Sequence, residues 1–299
     1  MARLSSLASV ADTRAVLDQF GLMTKKALGQ HFLINDGIVS HICELADITK
    51  QDNIIEVGPG IGTLTEALLK CAHAVVSIER DKDLPAVLEQ TCAPWKDSFT
   101  LISADALEVS PSDLPFAPNK LVSNLPYAVA ATIVLDYFER FSSLTSATVM
   151  VQAEVADRMS ATPGTKNYGA YTVKLRLLAH PAGKFSVAEG NFFPPPRVKS
   201  TVIRLDRNQE DLDPKLVRAT MIMADAAFEN RRKTLANSMK RYFERTDPTF
   251  DQAKVLPQLF AGAGIDPKVR GEALEVADYL RLGQAYLALE EDTEKSDDE

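Results

Sequence analysis

Asn53–Leu64 reads Asn-Ile-Ile-Glu-Val-Gly-Pro-Gly-Ile-Gly-Thr-Leu, and its two halves obey different rules. Asn53–Val57 is a short apolar run with two isoleucines and a valine, the pattern of a strand buried on both faces of a parallel sheet. Gly58, Gly60 and Gly62 then alternate, and Thr63–Lys70 continues in good helix formers. Strand, glycine turn and helix make the first βα unit of a nucleotide-binding sheet, where the backbone approaches a ligand too closely for a Cβ. The dinucleotide fingerprint is excluded, because Gly-x-Gly-x-x-Gly requires a glycine where the chain has Thr63, and Pro59 stiffens the turn. Glu56 would repel phosphate and suits a cationic or amine-bearing ligand instead.

The alternation continues outward from that unit. Strands are predicted at Ala74–Ile78, Phe99–Ser103, Lys120–Ser123 and Ala147–Gln152, with closing strands near Lys184–Val187 and Ser200–Leu205. Helices are predicted at Ile38–Ala46, Asp83–Gln90, Ala130–Phe141, Glu154–Ser160 and Tyr171–Ala179. This is an α/β pattern for a doubly wound, mostly parallel sheet. It stops near Asp206. From Leu212 the apolar spacing is helical only, broken at Pro248, Pro257 and Pro267, so a small α-helical domain follows. The expected organisation is an N-terminal arm over 1–24, an α/β domain over 25–206, a helical domain over 207–289 and an acidic tail over 290–299.

At 299 residues and 45% hydrophobic content the chain can bury a full core, and no apolar run reaches the roughly 18–20 residues that span a bilayer. Met1–Gln19 is rich in Ala and Ser, but Asp12, Arg14 and Asp18 interrupt any signal-type apolar segment, so a short leading helix or loose arm and a cytoplasmic protein are expected. Cys43, Cys71 and Cys92 form no Cys-x-x-Cys pair and read as reduced thiols. The histidines lack metal-ligand spacing, and no metal is predicted. The net charge of −8 is unevenly spread: Glu290–Glu299 alone carries −6, leaving −2 for the rest. That end reads as a solvated, disordered tail. Glu229–Arg245 carries six basic residues against two acids, and Lys25 with Lys26 forms a second basic site; such patches read nucleic-acid phosphate despite an acidic total.

In an open α/β sheet, ligands sit at the carboxyl ends of the strands. The first four strands here end at Gly58, Glu79, Asp105 and Asn124. Glu79 lies 21 residues after Gly58, the distance at which a second-strand carboxylate accepts ribose hydroxyls. Asp105 is placed to accept from an adenine amino group, and Ala104 and Ala106 leave room for a flat ring. Together these positions imply an adenosine pocket. Asn124-Leu125-Pro126-Tyr127 supplies a reaction. Adenine N6 is a poor nucleophile because its lone pair is delocalised into the ring. Two acceptors aimed at its N–H bonds, the Asn124 side-chain oxygen and the Leu125 carbonyl, would free that lone pair. Pro126 removes a competing donor and directs the carbonyl, and Tyr127 offers a ring for an extruded base.

Taken together, these stretches resemble the ribosomal small-subunit RNA adenine dimethyltransferases, the KsgA family. The resemblance spans about Lys25 to Leu280. It is carried by Gly29-Gln30-His31-Phe32-Leu33, Glu56-Val57-Gly58-Pro59-Gly60, Ile78-Glu79-Arg80-Asp81, Asn124-Leu125-Pro126-Tyr127 and Phe192-Phe193-Pro194-Pro195-Pro196-Arg197-Val198-Lys199-Ser200. In the helical domain, Asn230-Arg231-Arg232-Lys233-Thr234-Leu235 and Gly264-Ile265-Asp266-Pro267 carry it too. It implies a Rossmann-like class I methyltransferase sheet with helices on both faces and a small C-terminal α-helical domain. It implies an S-adenosylmethionine pocket formed by His31, Leu33, Gly58, Glu79, Asp105 and Asn124. It further implies base contacts from Asn124, Leu125, Pro126 and Tyr127, with Phe192 as a second stacking ring. His31 stands where that family often has asparagine and would donate to the cofactor carboxylate; Ala128 replaces another frequent asparagine.

The resulting expectation is a monomeric enzyme, with no membrane partner, that dimethylates N6 of two adjacent adenosines in the 3′-terminal hairpin loop of 16S rRNA within an immature small subunit. Arg231, Arg232 and Lys233 would dock on rRNA backbone. The nearest rival is the large-subunit (23S) rRNA methyltransferase class of the macrolide-resistance type, against which the Asn230–Leu235 and Gly264–Pro267 segments argue. A DNA adenine methyltransferase would need a target-recognition region that the sequence does not display. A non-catalytic assembly or transcription factor would not need Glu79, Asp105 and Asn124–Tyr127 together.

Overall fold

Ile54 and Ile55 are fully buried, and the strand they define, Asn53–Val57, lies inside a seven-stranded sheet with a parallel neighbour on each side. Fully burying one such side chain contributes roughly 1.5–3 kcal/mol, which is why a five-residue strand suffices as the sheet's axis. The computed structural model describes residues 3–22, 31–210, 212–247 and 251–297; Lys25, Lys26, Gly29 and Gln30 lie outside them, as do the side chains of 291–297. In chain order the strands are β1 (Phe32–Leu33), β2 (Asn53–Val57), β3 (Ala74–Glu79), β4 (Phe99–Ser103), β5 (Lys120–Asn124), β6 (Ser146–Gln152), β7 (Ala179–Val187), β8 (Phe192–Phe193) and β9 (Ser200–Arg207). The helices are α1 (Val10–Gln19), α2 (Asp36–Leu45), α3 (Thr63–Cys71), α4 (Pro85–Thr91), α5 (Ala130–Arg140), α6 (Ala153–Met159), α7 (Ala170–Leu178), α8 (Pro214–Phe228), α9 (Leu235–Thr246), α10 (Gln252–Ala263) and α11 (Val276–Asp297).

The main sheet runs β4-β3-β2-β5-β6-β9-β7. Strands β2 to β6 are parallel, and β9 is antiparallel to both neighbours. From β2 the chain moves outward through β3 to β4, then returns to place β5 on the other side of β2. Right-handed crossovers therefore put α3 and α4 on one face and α5 on the other. The reversal of direction between β2 and β5 opens a crevice at their carboxyl ends. Strands β1 and β8 form a separate antiparallel pair, Phe32 opposite Phe193 and Leu33 opposite Phe192.

The N-terminal arm is not loose. Leu7, Ala8 and Leu17 are buried in the same core as α2 and α3. The Glu66 carboxylate of α3 accepts from the Ser5 hydroxyl and from the Ser6 amide and hydroxyl, while Asp36 accepts from the Leu4 and Ser5 amides. Of the two expected forms, the short leading helix is present as α1, and Ser5 and Ser6 supply the donors that tie the segment before it.

The chain divides into two units, Met1–Ala156 with Ala179–Arg207, and Asp157–Leu178 with Asn208–Glu299. The sequence reading places the boundary at 206 and keeps 157–178 in the α/β domain. In the structure, Tyr168 and Val173 pack into the helical core with Met223, Leu235 and Tyr279, and the Tyr168 hydroxyl donates to the Leu274 carbonyl at 2.8 Å. Helix α11 extends to Asp297, into the stretch expected as a disordered tail. Extending an existing helix avoids the cost of nucleation, and Glu and Lys sustain it well. No described helix is long and apolar enough to cross a membrane.

Candidate active site

A cavity of about 260 Å³ opens at the carboxyl ends of β2, β3 and β5, a little below the roughly 300–1,000 Å³ usual for small-molecule sites. Gly58 and Gly60 shape its floor with φ of +70° and +62°. A Cβ on Gly58 would touch Pro126 at 3.4 Å, and one on Gly60 would press on the Phe32 ring at 3.2 Å. The glycines thus let the turn after β2 pack directly against the Asn124–Tyr127 loop and against β1.

The predicted residues His31, Leu33, Gly58, Glu79, Asp105, Asn124, Leu125, Pro126 and Tyr127 all line this one cavity, together with Glu56 and Thr63. Glu79 is 8% exposed; its Oε1 accepts from the Asp81 amide at 2.8 Å, and burial pushes its pKa up against the pull of the Asp81, Gly60 and Arg80 amides. Glu56 is buried deeper, its Oε2 accepting from the Thr65 and Ser77 hydroxyls, each at 2.7 Å. Desolvation lifts its pKa from the ordinary 4.5 to about 7, outweighing both hydrogen bonds. Asp105 accepts from the Leu107 amide at 3.1 Å and pairs with Arg80 at 3.2 Å.

The Asn124 amide nitrogen donates to the His31 carbonyl at 3.3 Å, so the group's polarity is set and its oxygen remains an acceptor. The Leu125 amide donates to Met150 of β6 at 3.1 Å, fixing the peptide that follows Asn124. Tyr127 carries its ring beside that of His31, centroids 6.0 Å apart and planes 25° apart. The His31 Nδ1–H donates to the Pro194 carbonyl at 2.8 Å. The nitrogen left for a ligand is Nε2, an acceptor while the ring is neutral and a donor to a carboxylate only as the imidazolium.

Two expectations change here. Phe192 is 2% exposed, is absent from the cavity wall, and belongs to the core beside Leu33 and Val187; its pairing in β8 turns the ring inward, so it offers no stacking face. Arg231 is not a free cation. Its guanidinium pairs with Glu272 at 2.9 Å and donates to the Thr165 carbonyl at 2.9 Å and to the Lys166 carbonyl. Arg232 and Lys233 are exposed, and none of the described ion pairs includes them. Sequence reasoning missed Thr63, whose Oγ1 is buried at the cavity without a hydrogen-bond partner. A hydroxyl at the first turn after a glycine loop was the available signal.

A switch-point cavity with a glycine cradle, two strand-end carboxylates and an Asn-Leu-Pro-Tyr loop at its wall defines a class I methyltransferase fold. Similarity narrows that class. The family described as ribosomal RNA adenine dimethylase matches residues 21–281, and the chain belongs to it. A relative from Rhodococcus opacus (strain B4), named ribosomal RNA small subunit methyltransferase A, is 38% identical over 289 residues, covering 94% of this chain and 95% of its own. The dimethyladenosine transferase structure from Plasmodium falciparum superposes with a TM-score of 0.71 at 23% identity, over 84% of this chain and 96% of that one. The 23S rRNA methyltransferase ErmE superposes with a TM-score of 0.61 at 25% identity, over 85% and 98%. Those two likenesses bear on the fold.

Proposed function

We propose that this rRNA adenine dimethyltransferase uses S-adenosylmethionine to dimethylate N6 of two adjacent adenosines in the 3′-terminal hairpin loop of 16S rRNA, within an immature small subunit, as a cytoplasmic monomer. The observation that carries the reading is the Asn124 amide. Its nitrogen donates to the His31 carbonyl, which leaves the oxygen as the free acceptor of a side chain that lines the cavity.

The cavity fits the methyl donor on several counts. The positive φ of Gly58 and Gly60 keeps the turn after β2 free of side chains at the cavity floor, and at Gly60 a Cβ would also crowd the Phe32 ring. Glu79 and Asp105 offer acceptors to ribose hydroxyls and an adenine amino group, and Thr63 holds an unpartnered hydroxyl. Glu56 and Glu79 place two carboxyls at the cavity whose burial favours their neutral forms, and a cation bound beside them would draw them into ionisation. Bound S-adenosylmethionine supplies an electrophilic methyl group on a positively charged sulfur. The chain's own residues do the remainder. The Asn124 oxygen and the Leu125 carbonyl accept from the two N–H bonds of the target N6, withdrawing its lone pair from the ring. Pro126 holds the carbonyl's direction, and Tyr127 stacks on the extruded base. A strong base is unnecessary, since the methylated nitrogen is acidic enough to lose its proton to water. Loop adenosines are already partly unstacked, which lowers the cost of presenting them. Arg232 and Lys233 are the docking cations that remain for rRNA backbone.

The test is methyl transfer from labelled S-adenosylmethionine to undermethylated small subunits, with large subunits and duplex DNA in parallel, followed by mapping. Dimethyladenosine confined to the 3′-terminal loop of 16S rRNA is expected. Label in 23S rRNA would replace the reading by the macrolide-resistance type, and binding without transfer would leave an assembly factor.

A further inference from the structure

A stacking ring is useful only if its plane is fixed. Tyrosine χ2 is a broad torsion, and a functional group has to be held within about 10–20° of its working orientation. The fixing of Tyr127 is visible in three contacts. Its hydroxyl shares a 2.6 Å hydrogen bond with the Ser200 hydroxyl. Its ring lies along that of His31, and His31 is itself held by its Nδ1–H on the Pro194 carbonyl.

Of these, Ser200 is the rigid one. It is fully buried, it is the first residue of β9, and it is registered against Gln152 of β6 on one side and Val187 of β7 on the other. The peptide before it is tied by the Ala153 amide donating to the Lys199 carbonyl at 2.9 Å. Ser200 is absent from the cavity wall, so it cannot meet a ligand there and can act on one only through Tyr127. Stacking alone needs no hydroxyl, because any aromatic face serves. A half-buried hydroxyl without a partner would cost stability. The pairing therefore makes sense as an anchor: the phenol oxygen is pinned to a strand paired on both sides, and the ring is left at the cavity wall.

We infer that Ser200 is the positioning residue for Tyr127, fixing the ring plane against which the target base stacks; this rests on the base-stacking reading of Tyr127. The consequence is that the two hydroxyls form one functional unit. Removing either should leave the ring present but poorly aimed, which affects turnover more than cofactor binding.

The test is a double-mutant cycle in the small-subunit methylation assay, with wild type, Ser200→Ala, Tyr127→Phe and the double variant, read as kcat and KM, with cofactor Kd by calorimetry. Each single variant is expected to lower kcat about 10-fold with cofactor Kd essentially unchanged. The double variant should lose the same factor of about 10, where independent sites would multiply to about 100. Ser200→Thr, which keeps the hydroxyl, should recover most of the loss. Multiplicative losses, or wild-type turnover in Ser200→Ala, would overturn the inference. Should Ser200→Ala fail to fold, seen as loss of cofactor binding, Tyr127→Phe removes the same bond from the cavity side, and wild-type turnover there refutes it equally. Tyr127→Ala separates the two levels: it should cost well over the about 10-fold of the hydroxyl variants. Near-normal transfer in Tyr127→Ala would discard the stacking reading itself.

Discussion

Raising the pH from about 5 to about 8 should weaken the methyltransferase unit, and Glu56→Gln should remove most of that dependence. Glu56 sits fully buried with one oxygen bonded to Thr65 and Ser77, and its folded pKa is lifted from 4.5 to about 7. A carboxyl whose folded pKa exceeds its unfolded value holds its proton more tightly in the folded state. Stability is then highest below 4.5, declines as pH rises through the interval up to about 7, and levels off above it. At about 1.4 kcal/mol per pH unit, that interval corresponds to about 3 kcal/mol. Glu79, raised in the same direction, adds to the trend and eases when its neighbour is neutral. Glutamine keeps an acceptor for both hydroxyls but does not titrate, so any cost of its new N–H groups is constant with pH. The assay is urea unfolding followed by Trp95 fluorescence, since the chain's single tryptophan packs against the core of this unit. The stability difference between variant and wild type should shift by about 2.5 kcal/mol in the variant's favour between about pH 5 and about pH 8. Parallel curves would refute the reasoning that burial stores unfavourable charge here. A cationic ligand should reverse the trend, drawing Glu56 into its ionised form and releasing a proton near neutral pH, measurable by calorimetry in two buffers.

Asn124→Ala should abolish transfer, with calorimetry still detecting cofactor binding; wild-type-like turnover would remove its assigned role. Thr63→Val is nearly isosteric and deletes a buried hydroxyl that has no partner, so it should leave thermal stability equal or higher while weakening cofactor affinity about 10-fold; unchanged affinity would mean that the hydroxyl does not meet the ligand. Neutralising Arg232 and Lys233 together should flatten the plot of log affinity for rRNA against log salt by roughly 0.7–0.9 per lost phosphate contact, and an unchanged slope would move the docking surface elsewhere. Arg231→Ala should behave differently, lowering the stability of the helical unit by about 1–2 kcal/mol, discounted for its partial exposure, with little change in salt slope; hydrogen exchange in α9 and around Glu272 would report it.

Much of the α/β sheet was legible because its signals are local. β2 and β4 fall on the predicted residues, and β3 and β5 differ by one residue at the end, since a strand buried on both faces is a continuous apolar run that polar turns must bound. The cavity was legible for a related reason. Parallel strands bring their carboxyl ends to one edge, so Gly58, Glu79, Asp105 and Asn124 could be placed together from their positions at strand ends alone. Segment 157–178 defeated the same logic, because its apolar periodicity states that a face is buried and is silent on which core buries it.

What stayed hidden in every case is a pairing between residues far apart in the chain. Arg231-Arg232-Lys233 reads as three equivalent cations until Glu272, 41 residues later, claims the first of them. Phe192 and Phe193 are chemically alike, and only the register of β8 on β1 decides that the first ring turns into the core. Ser200 closes a stretch that resembles the family in sequence, yet its partner Tyr127 lies 73 residues upstream. Each of these turns on a single hydrogen bond, ion pair or register choice, which leaves no periodicity to read. Most of the residues that line the cavity are therefore ones a sequence exposes, at strand ends and glycine turns. Those that aim them, Ser200 at Tyr127 and the His31 carbonyl at Asn124, become visible only when the strands have been laid side by side.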